Sequence, residues 1–273
     1  METIKLDPYS PLHKTGHTSK GDQRKWKIDN IWYKADYMGY ESLSETLISF
    51  LLQKSSLQHP FVLYEPVQIE YNGNIMHGCS SRNFLRDNQM LIPLEKLHRQ
   101  YTGESLAIRL SEFADASERI QYLVKKTEDI THLNCIGPYI TAMLEIDAFF
   151  LNEDRHTNNI AIIYDAKTQQ YSLSPIFDQG LCLFANTNQD YPLSLSVEKC
   201  LKKIEAKPFS SDFDVQLDAA EALYGVQLHF HFTLKTVHEK LEQLAKIYPV
   251  EVCSRIEQLL SSQIRKYAHL MKQ

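Results

Sequence analysis

Glu145-Ile-Asp147-Ala-Phe-Phe-Leu-Asn-Glu-Asp154-Arg155-His156-Thr157-Asn158-Asn159-Ile-Ala-Ile-Ile-Tyr164 is followed, after a polar turn, by Tyr171-Ser-Leu-Ser-Pro175-Ile-Phe177-Asp178-Gln179-Gly180. The two runs set carboxylates, a carboxamide, an Arg and a His beside apolar, strand-like segments. If 160–164 and 171–175 pair around Asp165 to Gln170, Tyr164 lies opposite Tyr171, and Asn159 and Asp178 come to the same open end of a hairpin. A bulge at Pro175 would shift the register by one residue and leave that outcome unchanged.

An Asn and an Asp at one mouth offer the oxygen ligands that magnesium takes together with water and substrate phosphates. Asp154, just upstream, is left to orient a hydroxyl. This division of labour matches phosphoryl transfer, which also needs a strand Lys for the phosphates and a helix Glu to pair with it. Both are available upstream. Lys25 to Asp36 alternates bulky and polar residues around Asp29-Asn30, a hairpin signal, and carries Lys34 at a strand end. A helix is predicted next, from the spacing of Leu43, Leu47, Phe50 and Leu51. It offers Glu45 as the partner of Lys34, with Glu41 as its rival.

Further outward, Phe61 to Tyr71 and Ile75 to Leu85 flank Asn72-Gly73-Asn74, a second hairpin signal. Beyond Leu85 the periodicity is helical near 94–101, 114–126, 136–151, 214–222, 233–247 and 250–271, interrupted only by the short hairpin between Ile160 and Phe177. The expected fold is therefore α+β and bilobal: a small antiparallel β-rich lobe over 1–84 and a larger, mainly helical lobe over 85–273. The cleft between them is the natural ligand site.

The sequence D-R-H-x-x-N at Asp154 to Asn159, followed by Ile176-Phe177-Asp178, resembles the catalytic and metal-binding loops of HipA-like kinases. Gly21-Asp22-Gln23-Arg24-Lys25-Trp26, Lys34 and Ser44-Glu45 resemble the upstream part of the same pattern, and Asp147 matches an acidic position in it. The resemblance implies a protein-kinase-like fold that uses ATP and Mg2+. It makes Asp154 the catalytic Asp and Asn159 and Asp178 the metal ligands, with Arg155 and His156 supporting the loop or the transferred phosphate. Lys34, Glu45 and the loop around Ser19 and Gly21 fall to the nucleotide, and Ser19 becomes the site for autophosphorylation. Met76 to Phe84, with Cys79 and Ser81, takes the place of the hinge that meets adenine.

HipA-like proteins phosphorylate protein Ser/Thr hydroxyls, and the toxins among them are restrained by an antitoxin partner. This chain starts almost at the Gly-containing loop, so it is expected to lack the extra N-terminal subdomain of the long forms. The same D-R-H-x-x-N loop occurs in phosphoinositide kinases, which keeps a lipid or small-molecule acceptor open. So does a regulator that binds ATP and transfers nothing.

Composition narrows the field. The 273 residues carry 29 Lys and Arg against 34 Asp and Glu, a net charge of −5, with no basic block to neutralise a nucleic-acid backbone. The most apolar stretch, Cys135 to Leu151, is interrupted by Glu145 and Asp147, and the polar start has no signal-peptide core. Five scattered cysteines without a CxxC pair fit reduced thiols in a cytoplasm. With only 9 glycines, neither the dinucleotide fingerprint nor the Walker loop is present. His229-Phe-His231-Phe is expected to be structural, since no third ligand stands nearby.

Overall fold

The computed structural model describes residues 3–6 and 23–272; Ser19 and Gly21 lie outside them. Strands β1 (Thr3–Leu6), β2 (Lys25–Ile28) and β3 (Ile31–Ala35) precede helix α1 (Glu41–Leu52), and β4 (Glu65–Tyr71) and β5 (Asn74–Arg82) follow it. They form a five-stranded sheet in the order β1-β4-β5-β3-β2, antiparallel except where β1 runs parallel to β4. The two hairpins turn at the expected places, with Asp29, Asn72 and Gly73 at positive φ. Alternation sorts the sheet into two faces. Trp26, Tyr33, Ala35, Val67, Ile69 and Tyr71 form an apolar cluster on one, while Lys34, Lys25 and Cys79 are register partners on the other.

The rest of the chain is largely helical. β6 (Gln89–Pro93) leads into α2 (Leu94–Thr102), α3 (Leu106–Ser111), α4 (Ala116–Thr131) and α5 (Ile136–Phe150). Strands β7 (Ala161–Asp165) and β8 (Gln170–Leu173) pair with Tyr164 opposite Tyr171, as expected. Then come α6 (Val197–Leu201), α7 (Phe213–Tyr224), α8 (Leu234–Leu244) and α9 (Val250–Lys266). α5 is buried on nearly every side because its sequence is almost continuously apolar. Phe149 and Phe150 pack against Phe230, and Phe149 also meets Phe232. His229 and His231 face outward between those aromatics, so that motif is structural.

Four elements escape sequence reading. β1 pairs with a strand far along the chain and has no hairpin to announce it, and β6 joins the hairpin as a third strand. Helices α3 and α6, at 6 and 5 residues, are too short to show a helical period.

The two lobes are fastened at the turn before α1. Asp36 accepts the Ser42 N–H at 2.6 Å and the hydroxyl of Tyr248, just ahead of α9, at 2.7 Å. Burial and then the Glu41 carboxylate push the Asp36 pKa up to about 7. Its folded-state value lies above its unfolded one, so its stabilising contribution is complete below about pH 4 and is lost as pH rises through about 7. The melting temperature should therefore fall between pH 5 and 8 more steeply in the parent than in Asp36→Asn. Parallel slopes in thermal unfolding would refute this.

Candidate active site

α5 ends where the site begins. Leu151 takes a left-handed conformation (φ 55°), its N–H bonded to the Asp147 carbonyl, and turns the chain into the segment carrying Asp154. Asn152 fixes the direction of that turn. Its side chain donates to Asp147 Oδ1 (2.8 Å) and Gln179 Oε1 (3.3 Å) and accepts the Asp154 N–H (3.0 Å).

Arg155 is wholly buried. Its Nε and Nη2 grip the two oxygens of Asp147 at 2.7 and 3.0 Å, and Nη1 donates to the carbonyls of Asn159 (3.0 Å) and Phe177 (3.2 Å). Asp147 is thus a buried ion-pair partner, and Arg155, fully covered, braces the loop from within.

The loop is tied back on itself, with Asn159 Nδ2 donating to the Asp154 carbonyl at 2.8 Å. α2 holds its far side: Glu95 accepts from the Thr157 hydroxyl at 3.0 Å, and the Leu94 N–H reaches the Ile160 carbonyl at 2.8 Å. His156 Nε2 lies 3.8 Å from Asp154 Oδ2.

Opposite, the sheet delivers the cations. Lys34 Nζ is 2.5 Å from Glu45 Oε1 and 2.9 Å from Asp178 Oδ1, so β3, α1 and the segment after β8 meet at one ammonium. Burial works against that charge, but Asp178 and Glu45 more than offset it and raise the Lys34 pKa well above the ordinary lysine value. Glu45 is fully buried, and burial raises its own pKa against the pull of Lys34. The rival Glu41 does other work: it accepts the N–H groups of Tyr37, Met38 and Gly39, closing the turn into α1. Gly180 lets α1 come this near, since a Cβ there would sit 3.3 Å from the Glu41 Cβ and 3.4 Å from Glu45 Oε1.

Asp178 adopts φ 64°, a left-handed position that re-aims its side chain at the sheet. Burial opposes its charge, yet Lys25 and Lys34 hold its carboxyl far below the usual carboxylate range. Lys25 Nζ lies 3.7 Å away. That residue was not singled out in sequence, though its place directly across the hairpin from Lys34 carries the signal. Tyr64 was missed as well, and its hydroxyl is 3.5 Å from both Lys34 Nζ and the Asp178 N–H.

Cys79 and Ser81 are both residues of β5: Cys79 is fully buried between Lys34 and Pro66 in the ladder, whereas Ser81 pairs with Trp32 on one side only and lines a cavity with Val62, Arg82, Asn83 and Phe84.

The donor chemistry suits a hard cation. An ionised Asp178 and the carbonyl oxygen of Asn159, whose amide nitrogen is committed to Asp154, are oxygen ligands that phosphates would complete. Among the described residues no cluster of three or more His, Cys, Asp or Glu forms a metal site by itself.

By sequence, no family model and no curated protein matches the chain. By structure it is similar to the crystal structure of CtkA, a Helicobacter pylori proinflammatory kinase, with a TM-score of 0.62 over 98% of this chain and 96% of that one, at 15% identity. A likeness of that kind establishes the architecture, a bilobal kinase-like α+β fold with a curled-sheet lobe and a helical lobe. Among the described residues no helix is long and apolar enough to cross a membrane.

Removing one half of the Asp147–Arg155 pair leaves a buried charge unpaired. Asp147→Asn should cost about 3–5 kcal/mol of stability, read from the denaturant midpoint. A cost below about 1 kcal/mol, the scale of an exposed pair, would show that the loop does not hang on this contact.

Proposed function

We propose that the protein is a HipA-like kinase that transfers the γ-phosphoryl group of ATP to a Ser/Thr hydroxyl of a protein, with Mg2+ as cofactor. The observation that carries the reading is the meeting of Lys34 and Glu45, from the consecutive elements β3 and α1, with the distant Asp178, beside a loop that presents Asp154 and Asn159. The motif residues supply the reaction type, and the kinase-like fold supports it without proving it.

Lys34, held by Glu45, and Lys25 beside it would receive the phosphates, exchanging part of their contact with Asp178 for the incoming oxygens. Magnesium would be held by Asn159 and Asp178 and would neutralise charge on the phosphates. Asp154 accepts the proton of the acceptor hydroxyl and aims its oxygen in line, and His156 at its side limits where that hydroxyl can sit. Positioning and fixed charge do most of the catalytic work in this class of transfer.

Incubation with ATP and Mg2+, followed by intact mass and peptide mapping, tests the proposal. Phosphate should appear on the parent or on an added protein acceptor, and mapping reports whether Ser19 takes it. Asp154→Ala should lower transfer by about 10²–10⁴-fold while leaving nucleotide binding nearly unchanged. Asp178→Asn should weaken Mg–ATP binding as well. Absence of ATP binding by the parent would sink the reading; binding without transfer to any acceptor would leave a regulator.

A further inference from the structure

Lys207 belongs to none of the motifs read in the sequence. Lys207, far along the chain from the loop, places Nζ 3.8 Å from Asp154 Oδ1, on the other carboxylate oxygen from the one beside His156. Its position is built and not incidental. The Ala206 N–H bonds the Ser211 carbonyl at 2.8 Å, and Phe209, wholly buried, has its carbonyl on Arg119 Nη1 of α4 (2.8 Å) and its N–H on Gln216 Oε1 of α7 (3.3 Å). A turn fixed by two helices thus holds the Lys207 backbone over the loop. The side chain itself is about a third exposed, free to move on its long stem.

A transferring phosphoryl group spreads negative charge over three oxygens, and cations aimed at them are the main source of rate. The loop cannot supply one from within. Arg155 is buried and engaged by Asp147 and two carbonyls, and His156, beside Asp154, offers an imidazole in place of a fixed cation. Lys34 and Lys25 stand with Asp178, on the nucleotide side.

Resting on the kinase reading, we propose that Lys207 is a further catalytic residue, whose ammonium passes from Asp154 to the oxygens of the phosphoryl group in flight. The bond between γ-phosphorus and the β,γ-bridging oxygen breaks, leaving ADP, as the acceptor oxygen bonds to phosphorus. The hydroxyl proton goes to Asp154, and Lys207 keeps its protons throughout.

The test uses the full chain and does not need the acceptor. Binding of ADP with Mg2+ is compared with and without aluminium fluoride, which mimics the group in flight. Lys207→Met should leave ADP affinity and melting temperature unchanged but weaken the fluoroaluminate complex about tenfold or more, and where transfer is measurable lower kcat by about 10²-fold at constant KM for ATP. Lys207→Arg should recover much of both, and Lys207→Gln should behave like Lys207→Met, which controls for packing of the stem. Equal affinity of parent and Lys207→Met for the fluoroaluminate complex would overturn the assignment alone, as would an equal loss for ADP itself. A parent that binds no nucleotide would overturn the kinase reading and this assignment together.

Discussion

Everything at the site is referred to one buried guanidinium. Arg155 reads the position of three segments at once: the end of α5 through Asp147, the 154–159 loop through the Asn159 carbonyl, and the segment after β8 through the Phe177 carbonyl. Arg suits this place because its planar fork can hold a carboxylate with two nitrogens and still donate from the third. A lysine there would offer a point charge and lose the geometry that sets the distance between loops. Asp154 and Asn159 flank this buried residue, so their placement follows from a group that is itself fully covered.

A second constraint links the lobes by charge balance. Lys25 and Lys34 face Glu45 and Asp178, two cations against two carboxylates. Asp178 sits where the oxygens of an anionic ligand would meet the same ammonium groups. On the proposed kinase reading, a nucleotide would replace one set of anionic oxygens by another there and keep the site electrically satisfied. Two further bonds at the start of α1, the Tyr40 hydroxyl on the Leu183 carbonyl and the Ser44 hydroxyl on the Cys182 carbonyl, keep the helix against the segment after Asp178, so Glu45 and Asp178 stay within reach of the same lysine.

What was legible in the sequence was whatever has a local signature. Hairpins at Asp29-Asn30 and Asn72-Gly73, the long helices, and a loop with fixed internal spacing all declare themselves within a dozen residues. Glu45 against Glu41 was undecidable on that basis, because both sit on the first turns of one helix. The difference is tertiary: Glu41 is used up by three backbone N–H groups before it can reach Lys34. The burial of Cys79 was equally illegible, since a central strand and an edge strand share one alternation until a second pairing partner is known. Lys25 had its signal in the hairpin register, opposite Lys34, whereas Tyr64 and Lys207 reach the site only through long-range packing.

At 15% identity, likeness of fold says little about what the chain does; the energetic cost of its buried charges says more. Burying an ion pair loses hydration that its mutual attraction often fails to recover, and apolar side chains of similar volume commonly serve stability as well or better. Here Lys34, Glu45, Asp147 and Arg155 are all buried, and Asp178 is held ionised among them. For Asp147 and Arg155 the return is loop geometry, with each nitrogen and oxygen accounted for. Lys34, Glu45 and Asp178 hold no comparable set of backbone groups, so a purely structural role leaves their expense unexplained. Under the proposed function an anionic ligand exchanging places with Asp178 around Lys34 would remove the difficulty, because the same charges that burden the fold would become binding energy for phosphate.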